Sequence, residues 1–215
     1  MFGAFAPPCN RREARRLNRR EAILDVAESS FLECGYAGTS MSAIAATLGG
    51  SKATLWSYFP SKELLFAAVI DRASQTFREQ LSLILNPHDD IGVALRGFAR
   101  QFLQKVTMPE SVALHRLVIG EVSRFPETGR ILHDRAVGRT YALLADYLGK
   151  AAARGLLCID QPLAAAQHLM GLCLFGYHHQ MLLGVIDAVE PEMIEREVEQ
   201  SVAAFLRAYG LGTGG

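Results

Sequence analysis

Three features of this 215-residue sequence predict an all-helical protein of about nine helices. Leu and Ala dominate a chain that is 50% apolar and 20% charged, and strand-like alternation is scarce. Apolar residues recur at steps of three and four through most of the chain. Ser, Thr and Pro stand where helices would start, and Gly where they would stop. The length allows a small unit and a larger one. The chain divides into a basic arm without fixed structure (1–17), a three-helix unit of helix-turn-helix type (18–64), a larger helical domain (65–210) and a flexible tail (211–215).

Residues 1–17 are Pro-rich and then Arg-rich. They read either as a solvated tail or as an arm that touches phosphates. The first helix is expected from about Asn18 to Cys34. Ile23, Val26, Ala27, Ser30, Phe31 and Cys34 share one face, and Gly35 ends it. Thr39 or Ser40 caps a second helix that buries Met41, Ile44, Ala45 and Leu48. Gly49-Gly50 turns the chain, and Ser51 caps a third helix over Lys52–Tyr58. Leu55 and Phe59 face inward, which leaves Lys52, Ala53, Thr54, Trp56, Ser57 and Tyr58 outward or sideways. So short a helix survives only by packing, yet it exposes aromatics, hydroxyls and a lysine. Such a surface suits phosphates and base edges in a major groove.

Ser61 caps the fourth helix, which continues to about Leu85. The fifth is expected over about His88–Val106, and the sixth from Pro109 to near Phe125. The seventh runs from Pro126 to about Arg154, with an irregularity near Gly138. The eighth runs from Pro162 to about Leu183, and the last from Pro191 to Tyr209. Proline suits the first turn of a helix, where its missing N–H is not needed. The apolar stripes of the last two helices exceed the partners one chain offers, so a four-helix bundle made by two chains is expected. Its interface would comprise Leu169, Cys173, Ile194, Val198, Val202 and Phe205.

Net charge is zero, but residues 1–62 hold eight bases against five acids, and the remainder fourteen against seventeen. A basic head suits a nucleic-acid contact confined to one end. Cys9, Cys34, Cys158 and Cys173 form no C-x-x-C pair, and the opening MFGAFAPPCN lacks the pattern of a secretory signal. Free thiols in a cytoplasmic protein are expected. The uncharged run from Gln161 to Ile186 carries Gln167, His168, His178, His179 and Gln180, which suits a buried helix better than a membrane span. Adjacent histidines point about 100° apart on a helix, so no metal site is expected at His168, His178 and His179. No catalytic motif is found, and no cofactor is expected.

The stretch TSMSAIAATLGGSKATLWSYFPSKELLF resembles the N-terminal DNA-binding domain of the tetracycline-repressor (TetR) family of bacterial transcription regulators, over roughly residues 20–66. Gly50 stands where that family usually has a β-branched or apolar residue, and Trp56 where it usually has tyrosine. The resemblance implies that the second and third helices dock in the major groove, while the lysine opening the fourth grips a phosphate. The DNA-facing set would then be Thr39, Ser40, Ser51, Lys52, Thr54, Trp56, Tyr58 and Lys62. LHRLVIGEVSRFPETGR, Leu114–Arg130, is similar to the C-terminal domain of an AcrR/AefR-like branch, whose members resemble repressors of efflux or stress genes. It implies a homodimer and a pocket in the larger domain. Candidate lining residues are Phe98, Phe102, His115, Ile119, Phe125, Tyr141, Met170, Cys173 and Tyr177, which set aromatic and soft side chains on the fifth to eighth helices. The expected protein is a homodimeric repressor of near-palindromic operator DNA, released by a small apolar or amphipathic effector. The competing classes are a small helical enzyme using Cys or His, and a ligand-binding protein that does not bind DNA.

Overall fold

The computed structural model describes residues 11–211. Its helices are α1 (Arg11–Gly38), α2 (Met41–Thr47), α3 (Lys52–Tyr58), α4 (Lys62–Ile84), α5 (Ile91–Val106), α6 (Pro109–Glu121), α7 (Pro126–Leu132), α8 (Gly138–Ala153), α9 (Pro162–Cys173), α10 (His179–Leu182) and α11 (Pro191–Tyr209). A π-helical turn, His133–Val137, joins α7 to α8, and a second, Leu174–His178, joins α9 to α10. With each helix that continues through a π turn taken as one, the described residues form nine helices. No strand forms among them; an isolated bridge joins Leu157 and Gly210. The chain separates into two compact units between Val69 and Ile70. No helix among the described residues is long and apolar enough to cross a membrane.

The arm expected to lack structure over 1–17 is helical from Arg11 onward, because Arg11–Leu17 continue α1. Residues 1–10 lie outside the described residues, as do 212–215 of the tail. The helix expected from His88 begins at Ile91 instead, where the Asp90 carboxylate accepts from the Val93 N–H.

The first unit is a three-helix core extended by the start of α4. Ile23, Leu24, Ala27 and Phe31 of α1 are buried with Ile44 and Ala45 of α2, Leu55 of α3, and Leu65 and Phe66 of α4. Phe31, Tyr36 and Phe66 form an aromatic triad with ring centroids 5.0 to 5.8 Å apart. Gly35 interrupts α1 with φ 74° and ψ 173°, a conformation that suits glycine. Beyond it the carbonyls at the negative end of α1 collect donors from later in the chain. The Thr39 hydroxyl bonds the Ser30 carbonyl at 2.9 Å and the Gly35 carbonyl at 2.7 Å. The Lys62 ammonium donates to the Tyr36 carbonyl at 2.8 Å and the Thr39 carbonyl at 3.3 Å, and stands 4.3 Å from the Tyr36 ring centroid.

The second unit has its own core. Phe77, Leu81, Leu95, Phe98, Phe102, Leu144, Leu148, Leu169, Val198, Val202 and Phe205 are among its members. α5 lies against α11, and the Arg100 guanidinium meets the Glu195 carboxylate with two hydrogen bonds while Arg96 pairs with Glu199. Asp71 accepts from Arg135 at 3.0 Å and from Arg139 at 2.9 Å, which fastens α4 to the π turn and to α8.

Replacing Thr39 by Val keeps its shape and removes the hydroxyl bonds to the part-buried Ser30 and Gly35 carbonyls, the second of which still accepts the Thr39 N–H. The expected cost is about 0.5–1.5 kcal/mol, comparable to the about 1 kcal/mol for removing the Ser40 cap with Ser40→Ala. Urea unfolding followed by the fluorescence of the single tryptophan, Trp56, measures both.

Candidate functional site

The outward face of α3 is built by two serine caps and two buried anchors. Ser40 Oγ accepts the Ala43 N–H at 3.1 Å and opens α2. Ser51 Oγ accepts the Thr54 N–H at 3.1 Å, and shares a proton with Thr54 Oγ1 at 2.9 Å. Leu55 and Phe59 point into the core. That leaves Lys52, Thr54, Trp56 and Ser57 exposed on one short helix, with Trp56 at 45%. Tyr58 is half-buried and lines a groove with Arg12, Glu13, Arg15 and Arg16 from α1. An exposed tryptophan beside hydroxyls, with Arg12, Arg15 and Arg16 of α1 around Tyr58, makes a surface suited to a polyanion.

Six of the eight residues expected to face DNA are therefore at or near the surface: Ser40, Ser51, Lys52, Thr54, Trp56 and Tyr58. Two are engaged otherwise. Thr39 is buried at 4%, its hydroxyl spent on the α1 carbonyls. Lys62, expected on a phosphate, neutralises the end of α1 instead. Thr39 is held by α1 carbonyls four and nine residues earlier, and Lys62 by carbonyls twenty-six and twenty-three residues earlier, where α1 gives way to α2. Gly50, in the α2–α3 turn, gives room to Arg19. Its missing Cβ would lie 2.6 Å from Arg19 Nη2, which donates to the Leu48 carbonyl at 3.3 Å and so closes α2. The basic segment Arg12–Arg16 was legible as charge, but its place beside Tyr58 was not.

In the second unit the expected pocket-lining residues scatter. Phe98, Phe102, Met170 and Cys173 are core, so packing rather than a pocket explains them. Ile119 is 63% exposed. Phe125 sits under the Arg124 guanidinium, Tyr141 packs on the edge of the core, and Tyr177 is half-buried. His115 is the member with a distinctive setting: its ring meets that of His178 edge-to-face, with centroids 5.4 Å apart. His178 is buried at 5%, and its Nε2 has no hydrogen-bond partner on the chain. Burial and the neighbouring His115 and His179 hold His178 well below the usual histidine range, at about 4. Burial lowers His115 too, against the pull of its bond to the Ser111 carbonyl. Sequence spacing set His168, His178 and His179 apart from one another. In the fold His168 lies against Tyr209 and His179 stacks on Phe175.

The expected interface residues Leu169, Cys173, Ile194, Val198, Val202 and Phe205 all lie inside the monomer core. The stripes were real, but they pack α9 and α11 on their own chain. The opposite, outward faces leave a groove of about 810 Å³, lined by Gly171, Leu172, Phe175, Gly176, Ala204 and Ala208 among others. Phe175 is 82% exposed there. Cys34 and Cys158 are exposed free thiols, and Cys173 is buried. Burial pushes the Cys173 thiol up to about 12, which disqualifies it as a nucleophile near neutral pH.

A short, surface-exposed helix-turn-helix face together with a separate helical body is an arrangement that DNA-binding regulators use. Residues 23–69 match the family model described as bacterial regulatory proteins, tetR family. Residues 93–211 match that of the AefR-like transcriptional repressor, C-terminal domain. The chain belongs to the TetR family, whose members are regulators and not enzymes. Among curated relatives, the HTH-type transcriptional regulator RutR of Escherichia coli strain K12 is 33% identical over 114 residues, 53% of this chain and 45% of that protein. The match thus spans about half the length of that relative. The structure of a TetR-family regulator from Mesorhizobium loti superposes with a TM-score of 0.80 at 28% identity, covering 92% of this chain and 99% of the other. The flavonoid-responsive regulator FrrA superposes with a TM-score of 0.75 at 35% identity, covering 90% and 97%.

The depressed His178 value has a sign. An unfolded histidine takes up its proton near pH 6.5, whereas the folded one resists until about 4. The unfolded state then binds more protons between these limits, so stability is full above about pH 6.5 and declines as pH falls toward 4. His178→Phe removes this titration. Thermal unfolding between pH 7 and 4.5 is expected to show a smaller drop in Tm for His178→Phe than for the unaltered chain.

Proposed function

We propose that this protein is a homodimeric, ligand-responsive repressor that binds a near-palindromic operator in the cytoplasm. The observation that carries the reading is the outward face of α3, where Lys52, Thr54 and Trp56 stand exposed on a helix whose other side is buried. Lys52, with Ser51 and Tyr58, contacts phosphates; Thr54 and Trp56 meet base edges. Arg15 and Arg16 of α1 supply further positive charge beside Tyr58. Membership of a regulator family supports this use of the face.

A second copy of the chain covers the outward groove of α9 and α11. Phe175 seats in the partner's small-residue surface at Gly171, Ala204 and Ala208, a self-complementary contact about a two-fold axis. Two copies would present α3 to half-sites roughly 34 Å apart, or a multiple of it. The effector enters the second unit and favours a state with weaker hold on DNA; its differential affinity for the two states is what releases the operator. The name of FrrA, a flavonoid-responsive regulator alike over most of both chains, supports an aromatic, amphipathic effector for this protein as well.

Retardation of DNA from upstream of the protein's own gene, over a series of salt concentrations, tests the reading. Lys52→Ala is expected to weaken all duplexes alike and to lower the slope of log affinity against log salt by about one. Thr54→Ala is expected to leave that slope unchanged and to shift sequence preference. Retention of affinity and slope by Lys52→Ala would remove α3 from the interface. For the dimer, sedimentation of Phe175→Asp is expected to give a folded monomer where the unaltered chain gives a dimer.

A further inference from the structure

The Leu174–His178 turn departs from α-helical geometry at Gly176, with φ −82° and ψ −116°. Single π turns within α-helices recur at functional sites, because the extra residue re-aims the side chains that follow. Here the residue re-aimed inward is His178, which the turn brings against His115 of α6. His115 Nδ1 lies 2.8 Å from the carbonyl of Ser111, four residues earlier. The carbonyl of Leu174, also four residues earlier, draws the His178 proton in the same sense, and since Nε2 is unpartnered the nitrogen it acts on is Nδ1. A carbonyl accepts, so Nδ1 carries the proton in both rings. Each Nε2 is then left with a bare lone pair.

Buried polar atoms are almost always satisfied, and an exception calls for a partner from outside the chain. His178 Nε2 is such an exception in a side chain 95% removed from solvent, as its 5% exposure records. It asks for a hydrogen-bond donor. A cationic donor would lose its hydration to face two neutral imidazoles, with no opposite charge in return. A neutral hydroxyl on an apolar body carries no such cost. We infer that His178 and His115 form the hydrogen-bond-accepting end of the effector site, and that its ligand is a phenol whose O–H donates to Nε2 of His178. This rests on the reading of the second unit as the effector-binding one. Burial keeps His178 neutral, and so an acceptor, throughout the physiological range.

Calorimetric titration of the full chain with naringenin, a flavonoid bearing free phenolic groups, and with its trimethyl ether, which bears none, tests the inference. The unaltered protein is expected to bind naringenin about tenfold or more tightly than the ether. His178→Phe is expected to erase that preference while holding its affinity for the ether. His178→Gln, which restores an acceptor, is expected to recover part of the preference, and circular dichroism melting confirms that both variants fold. Equal binding of the two compounds by the unaltered chain overturns the inference and leaves the effector reading standing, as does a preference that survives in His178→Phe. Failure to bind either compound, with the protein folded, overturns both the inference and the flavonoid-like effector.

Discussion

The end of α1 is the constraint on which the first unit depends. Its last carbonyls point at no further turn of helix, because Gly35 breaks the run. A buried helix end without donors would be costly. Thr39 and Lys62 supply them, one from the start of α2 and one from the start of α4. The same few atoms therefore fix where α2 and α4 begin. α3, seven residues long and unable to persist alone, is held between them by Leu55 and Phe59. Positively charged ammonium at the negative end of a helix adds electrostatic benefit to each bond. The cluster beneath, Phe31 with Tyr36 and Phe66, turns the arrangement into a rigid seat.

Much of this was legible in the sequence, and the illegible part has a common cause. Helix starts could be read from Ser40, Ser51 and the prolines at 109, 126, 162 and 191, since caps and first-turn prolines act within four residues. The exposure of Trp56 followed from the inward pair Leu55 and Phe59. The hold of Lys62 on the end of α1 was not legible because its partner comes from a distant turn: Tyr36 is twenty-six positions before Lys62. A hydroxyl or ammonium near a helix start looks alike in sequence whether it faces a phosphate or a carbonyl.

The second unit teaches the same lesson about faces. Steps of three and four showed that Ile194, Val198, Val202 and Phe205 share a side of α11, but periodicity does not name the partner. The partner is the core of the same chain, and the surface left for a second copy is the less hydrophobic reverse side, where small residues surround Phe175. The π turn at Leu174–His178 added a further shift that no 3.6-residue template contains. It is the reason His178, set aside as one of three unrelated histidines, stands beside His115.

The proposed DNA-facing surface of α3 carries its own reporter in Trp56, the only tryptophan of the sequence. Acrylamide quenching of Trp56 fluorescence, measured with and without duplex DNA from upstream of the protein's own gene, tests the central claim most directly. The expected result is strong quenching of the free protein, from a side chain 45% exposed, and marked protection that saturates with the duplex and is lost at high salt. Quenching that stays the same while the DNA is demonstrably bound would contradict the account, because the surface in contact would then lie elsewhere than on α3.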